Sequence, residues 1–283
     1  MNRIFTSMVV CLIVSGALAQ NKADIIVSYD ENNMNWERDT LQTTRMSLLA
    51  NANEAKYFND LSLWTDSLKS TPEGKDRLKQ IIMSACMTQS PEGSLSFDMT
   101  KGPVKTVNTY VFTNVGNGSL RYYSKFGEEQ GYYDEPLTEI AWQIDDSVKT
   151  VLGYECIEAE TNYHGRHWTV WFTPDVPVPF GPWKLHGLPG LILMAEADNG
   201  NSFIATGMEK TDRIISPMYS SDEYDRKERK KALAENEHYL NNRESILKAK
   251  FGGSVQFAYD SAERPKYDAA RYANEPDYKI ERQ

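Results

Sequence analysis

The run Glu155-Cys156-Ile157-Glu158-Ala159-Glu160-Thr161, the turn His164-Gly165-Arg166 and the run His167-Trp168-Thr169-Val170-Trp171-Phe172-Thr173 decide the fold class. In each run apolar and polar residues alternate with the two-residue period of a strand, and the glycine between them permits a tight reversal, so the pair reads as an antiparallel hairpin. The same pattern recurs on both sides. Towards the C terminus, Leu191 to Ala197 and Ser202 to Met208 flank the turn Asp198-Asn199-Gly200. Towards the N terminus, Ala141 to Asp145 precedes the hairpin, and Lys105 to Asn114 and Leu120 to Phe126 flank Gly116-Asn117-Gly118. Farther back, Asp24 to Tyr29 reads as a strand, and Met46 to Ala50 and Ala55 to Asn59 as two more joined by Asn51-Ala52-Asn53-Glu54. Parallel winding needs crossovers of a dozen residues or more where this chain has short turns, so a meandering antiparallel sheet is predicted.

Two segments change period. Thr71 caps and Pro72 opens a helix predicted to run to Met87, with Leu78, Ile81, Ile82, Ala85 and Cys86 on one face, which should lie on the sheet. From Ser220 to Lys250 the chain turns charged and helix-favouring, with capping-box spacing at Ser220 and Glu223. There Ala232, Tyr239 and Ile246 repeat every seven residues beside Leu233, Leu240 and Leu247, a narrow stripe suited to a helix docked on the sheet or lying over it. The expected fold is therefore α+β: a predominantly antiparallel curved β-sheet with a packed helix in the N-terminal half and a C-terminal helix.

The 283 residues are 40% hydrophobic and 25% charged, ordinary for a folded soluble chain, with 31 Lys plus Arg against 40 Asp plus Glu. The net charge of −9 argues against nucleic acid as a partner, because phosphate binding draws on a basic surface. Met1 to Ala19 has the basic start, apolar run and A-x-A site of a secretory signal peptide, so an exported protein is expected, with no transmembrane segment. A single β-rich domain over 20–260 and a polar tail over 261–283 follow. Cys11 lies within the apolar run. In an oxidising compartment Cys86 and Cys156 are predicted to form a disulfide, the alternative being two buried thiols.

The densest motifs are Gly153-Tyr154-Glu155-Cys156, the run Gly165 to Thr173, and Gly181-Pro182-Trp183-Lys184-Leu185-His186-Gly187-Leu188-Pro189-Gly190-Leu191-Ile192. Together they resemble the GLPGLI family of exported bacterial proteins, which takes its name from the stretch seen here as Gly187 to Ile192. The Tyr57 to Ser70 stretch, Glu135-Pro136 and Trp142 fit the resemblance as well, so it covers most of the chain beyond the signal peptide. It implies export into a Gram-negative envelope, periplasmic or outer-membrane-associated, and a mostly β fold. The family carries no established reaction, so no catalytic residue is transferred.

On the strand from His167 to Thr173, Trp168, Val170 and Phe172 share one side while His167, Thr169, Trp171 and Thr173 share the other. Pro174 to Pro189 holds five prolines and cannot be a helix or a central strand; Trp183, Leu185 and Leu188 give it apolar anchors. A binding face made of Trp168, Trp171, Trp183, Leu185, Leu188 and Pro189, serving an apolar small molecule or an envelope protein partner, is expected; an architectural corner is the alternative. His164, His167 and His186 are candidate metal ligands without the helical frame of a zinc motif. No nucleophile elbow or phosphate-binding glycine loop is present, Cys156 has no base placed by spacing, and Glu155, Glu158 and Glu160 read best as a solvated strand face. A non-catalytic binding or assembly protein without a cofactor is the expectation, with metal handling or an unrecognised enzyme as the alternatives.

Overall fold

The first strand of the chain lies in the middle of the sheet, paired on one side with its sequence neighbour and on the other with a strand from the far end of the domain. The computed structural model describes residues 21–35, 40–89, 93, 95–98, 101–103, 105–215, 218–219 and 221–251. The elements in chain order are β1 (Ile25–Asn35), β2 (Thr40–Ala50), β3 (Glu54–Phe58), α1 (Asp60–Lys69), α2 (Pro72–Cys86), β4 (Met87–Gln89) and β5 (Leu95–Phe97). After these come β6 (Tyr110–Asn114), β7 (Ser119–Phe126), β8 (Glu129–Pro136), β9 (Gln143–Val151), β10 (Tyr154–Tyr163) and β11 (Arg166–Thr173). The last are β12 (Leu191–Ala197), β13 (Ser202–Lys210), β14 (Asp225–Arg226) and α3 (Arg229–Phe251).

Among the described residues twelve strands form one open sheet in the order β14-β8-β7-β6-β3-β2-β1-β13-β12-β11-β10-β9, and β4 with β5 forms a separate hairpin. Among the described pairings only β14 with β8 is parallel, so the antiparallel reading of the sequence holds. The turns work as their residues suggest. The Asn51 side chain accepts from the backbone N–H of Asn53 at 2.8 Å and Glu54 at 2.9 Å, closing β2 onto β3. His164 and Gly165 take φ of 50° and 73°, and Leu152 and Gly153 take 52° and 82°, the paired left-handed residues that match the twist of a two-residue hairpin.

Pleat alternation sends Tyr29, Leu48, Tyr57, Val111, Leu120, Trp168, Val170 and Phe203 into one large core and Leu49, Phe58, Tyr110 and Tyr123 into a second, smaller one with Met218 and Tyr224. The smaller core is covered by α1. Asn59 caps that helix, its side chain accepting from the Ser62 N–H at 2.9 Å, and Asp66 accepts from the Tyr110 hydroxyl at 2.6 Å and Lys105 at 2.7 Å.

Several expectations are corrected. The helix after Thr71 forms with the predicted cap, but α2 packs against α1 rather than on the sheet; Leu78 and Cys86 are buried, Ile81 and Ile82 half-buried and Ala85 exposed. Its apolar face is satisfied by a neighbouring helix that periodicity alone did not reveal. The C-terminal helix starts at Arg229, nine residues after the proposed capping box, because Asp225 and Arg226 pair with Gly131 and Tyr132 of β8. Cys86 and Cys156 are free, buried thiols on α2 and β10, so the predicted disulfide is absent. Burial pushes the Cys156 thiol up from its ordinary pKa. The signal peptide over 1–19 and the tail over 261–283 lie outside the described residues.

Candidate functional site

Residues 174–190, between β11 and β12, fold back over the large-core face of the sheet as a segment hydrogen-bonded to itself. Gly181 and Leu185 bond N–H to carbonyl at 2.9 Å, the Gly187 N–H donates to the Pro179 carbonyl at 3.0 Å, and the Ile192 N–H donates to the Phe180 carbonyl at 3.1 Å. Proline rigidity and these bonds make an ordered plug from a sequence unable to form regular structure. Gly190 is required by contact: a Cβ there would stand 2.1 Å from the Thr173 carbonyl oxygen.

The apolar anchors face inward. The Trp183 ring stacks on Trp168 of β11 at 5.6 Å between centroids, and Trp168 stacks on Phe203 of β13 at 6.0 Å. Leu185 and Leu188 are 1% exposed and Trp168 not at all. The expected binding face is therefore corrected for Trp168, Trp183, Leu185 and Leu188. These four are core, since the protein's own segment occupies the face they were expected to offer. Trp171, on the other side of β11, is half-buried under the Lys149 ammonium at 4.1 Å, and Pro189 is exposed apart from the rest.

A charged cluster lies where this plug meets the far side of the sheet. Lys184, fully buried, donates to the Tyr133 hydroxyl at 3.0 Å and to one Glu135 carboxylate oxygen, both residues on β8. The other Glu135 oxygen lies 3.4 Å from His164 Nε2 and 3.5 Å from Arg229 Nε, and the Arg229 guanidinium reaches His164 Nδ1 at 2.9 Å. One carboxylate thus gathers β8, the β10–β11 turn, the plug and the start of α3. A buried ion pair of this kind contributes modestly to net stability but strongly resists loss of either partner. Trp183 beside it has φ of 56°, a conformation that bulky residues rarely adopt, and its indole N–H is buried with no hydrogen-bond partner among the described residues.

The three histidines do not converge. His164 belongs to the cluster, while His186 points its ring nitrogens at the Lys184 carbonyl, 2.8 Å, and the Thr138 carbonyl, 3.1 Å. His167 projects from the opposite side of β11 towards Glu160, 3.8 Å away. No cluster of three or more His, Cys, Asp or Glu side chains placed to hold a metal occurs among the described residues. The sequence reading missed Tyr133, Glu135 and Arg229, although one signal was present: a lysine inside the apolar segment Trp183 to Leu188 needs a buried anionic partner.

The chain matches a family described as a protein of unknown function, Porph_ging, over residues 160–194, which span the end of β10, β11, the plug and the start of β12. Two solved structures of PNGF-II, in space groups P21 and C2, are similar at 14% identity, with TM-scores of 0.47 and 0.46. Each likeness covers 77% of this chain and 34% or 33% of the other, so the chain spans about a third of their length. No curated protein matches it.

Proposed function

We propose that the chain is an exported cell-envelope protein that acts by binding a protein partner rather than by catalysis, through the β4–β5 hairpin and the adjoining end of α2. The observation that carries this reading is the exposure of Met83 (46%), Met87 (43%), Leu95 (65%) and Phe97 (50%). Met87 and Phe97 are cross-strand partners, and every described residue of the hairpin is exposed. Three large apolar side chains left in water on one short hairpin, with a fourth on the preceding helix, are unusual unless something covers them. The signal-peptide pattern of Met1 to Ala19 supports export, and the acidic charge supports a protein rather than a nucleic-acid partner. No described helix is long and apolar enough to cross a membrane.

In this reading the sheet is curved around the plug. Lys184 reaches Glu135 near one edge of the sheet while its neighbour Trp183 stacks on Trp168 near the other. The plug then fixes the scaffold that displays the hairpin.

A photo-crosslinking amino acid placed at Phe97 in the producing cells tests the proposal, with Thr206, exposed on β13, as the control position. A discrete protein adduct from position 97 alone, lost on Leu95→Ser, is expected. Identical adduct patterns from both positions would remove the hairpin from the account.

A further inference from the structure

At the turn between β10 and β11, only 11% of the His164 side chain is exposed, and its two ring nitrogens face groups of opposite character. Nδ1 lies 2.9 Å from the Arg229 Nη2. A guanidinium has only N–H groups to give, so Nδ1 must accept. That leaves the proton of a neutral ring on Nε2, the nitrogen 3.4 Å from Glu135. The contact with Arg229 therefore requires a neutral imidazole, because a second ring proton would set an N–H against an N–H.

The groups around His164 come from four elements. Tyr163, at the end of β10, lies 4.1 Å away between ring centroids, and Trp183 of the plug 5.5 Å away. Glu135 stands on β8 and Arg229 opens α3. Tyr133 and His186 stand one contact farther out, against Lys184 and Tyr163. Glu135 already answers two described cations, Lys184 through one oxygen and Arg229 through the other. A protonated His164 would be a third cation on that one carboxylate, in surroundings where like charges repel strongly. Of the three cations Arg229 is the one that would lose its acceptor, and it is the most exposed member of the cluster, with 25% of its side chain in contact with water.

We infer that His164 is an acid sensor for the opening turn of α3: neutral, it holds Arg229, and protonated, it releases Arg229 and the turn behind it. That turn carries Ala232, which packs on Phe126 and Tyr133. The rest of the helix stays in place. The Gly127 N–H donates to the Asn236 side chain at 3.4 Å, Lys250 meets Glu128 at 2.7 Å, and Leu233, Tyr239, Leu240 and Ile246 are half-buried. The docked turn takes the neutral ring, whereas the released one takes a proton in the ordinary imidazole range near about pH 6.5. Docking is therefore complete above that range and weakens as pH falls through it. The device does not depend on the role of the β4–β5 hairpin.

Hydrogen exchange of the whole protein at about pH 7.5 and about pH 5.5, corrected for the intrinsic pH dependence of exchange, tests the inference. Protection of the amides from Ala232 to Asn236 should fall about ten-fold at the lower pH, the factor by which an unconstrained imidazole is protonated there, while that of β1 and β2 holds. His164→Asn is the matched variant, since asparagine tolerates the φ of 50° at this position and its amide does not titrate. The variant should show one level of protection at both pH values. An equal ten-fold fall in the variant would assign the effect to another group, such as His186, and overturn the proposal. Imidazole nitrogen-15 shifts of the parent give a reading that needs no substitution. A bare Nδ1 at the higher pH and two protonated nitrogens at the lower are expected. A ring doubly protonated already at the higher pH, or equal protection of α3 at both pH values in the parent, would overturn the proposal.

Discussion

The plug over 174–190 and helix α3 cover the same side of the sheet by opposite means. The plug has no regular structure and is held by burial: Trp183, Leu185 and Leu188 are core, its backbone is bonded to itself, and Lys184 is neutralised in place by Glu135. The helix is regular over 23 residues yet fully buries one described alanine, with Leu233, Tyr239, Leu240 and Ile246 half-buried, and it adds charged contacts at its two ends. Regularity of backbone and firmness of attachment are thus independent here. What decides firmness is how much apolar surface leaves water and how completely polar groups are paired when it does.

That contrast breaks most readily at Trp168, sandwiched between Trp183 and Phe203. Trp168→Ala should lower the unfolding free energy by about 3–5 kcal/mol in denaturant titration, as for truncation of a packed large side chain. A loss below about 1 kcal/mol would mean the plug is not core after all. Next in size is Gly190→Ala, whose new methyl would meet the Thr173 carbonyl. It should destabilise by about 1–3 kcal/mol through overpacking, and a melting temperature equal to the parent's would show that the β11–plug junction can relax.

The opposite face of the sheet gives a pH test. Lys56 is buried among the rings of Phe58, Tyr110 and Phe112, at 5.2–5.8 Å, with Asp60, Asp66 and Arg213 acting on it. Burial, with Arg213 adding to it, lowers its pKa from 10.5 to about 8, against the opposing pull of Asp60 and Asp66. Between about 8 and the ordinary lysine value the unfolded chain binds the extra proton, so stability rises with pH across that window and is flat below it on this account. The gain from pH 8 to 10 is on the order of 2 kcal/mol. Above 10 buried Tyr29, Tyr110 and Tyr224, whose pKa values burial raises, oppose it. Chemical denaturation at stepped pH should show the rise, and Lys56→Met should abolish it; a flat parent profile would exclude a buried, proton-releasing lysine.

Smallest is the effect at α3. Lys250→Ala, at an exposed pair, should change global stability by less than about 1 kcal/mol. A larger fall would place α3 in the same class as the plug and erase the distinction between them.

The amino-acid sequence by itself determined the antiparallel meander, because alternation in β10 and β11 and the Asn and Gly turns are local signals that need no partner to be read. It also determined α2 from its Thr-Pro start. It did not reveal β8, whose residues Glu129–Pro136 include a glycine, a proline and three acids and form a strand only because β7 supplies the ladder. Nor did it say which apolar residues were core. Trp183 and Leu188 look the same in sequence whether they face a ligand or Trp168, and the return of the plug onto the sheet is what buried them. The Lys184–Glu135–His164–Arg229 cluster is the clearest case. Its members come from four separate stretches of chain, and nothing local to any one of them specifies the others; only closure of the sheet's side by plug and helix brings the charges within reach, where low solvent access makes pairing obligatory.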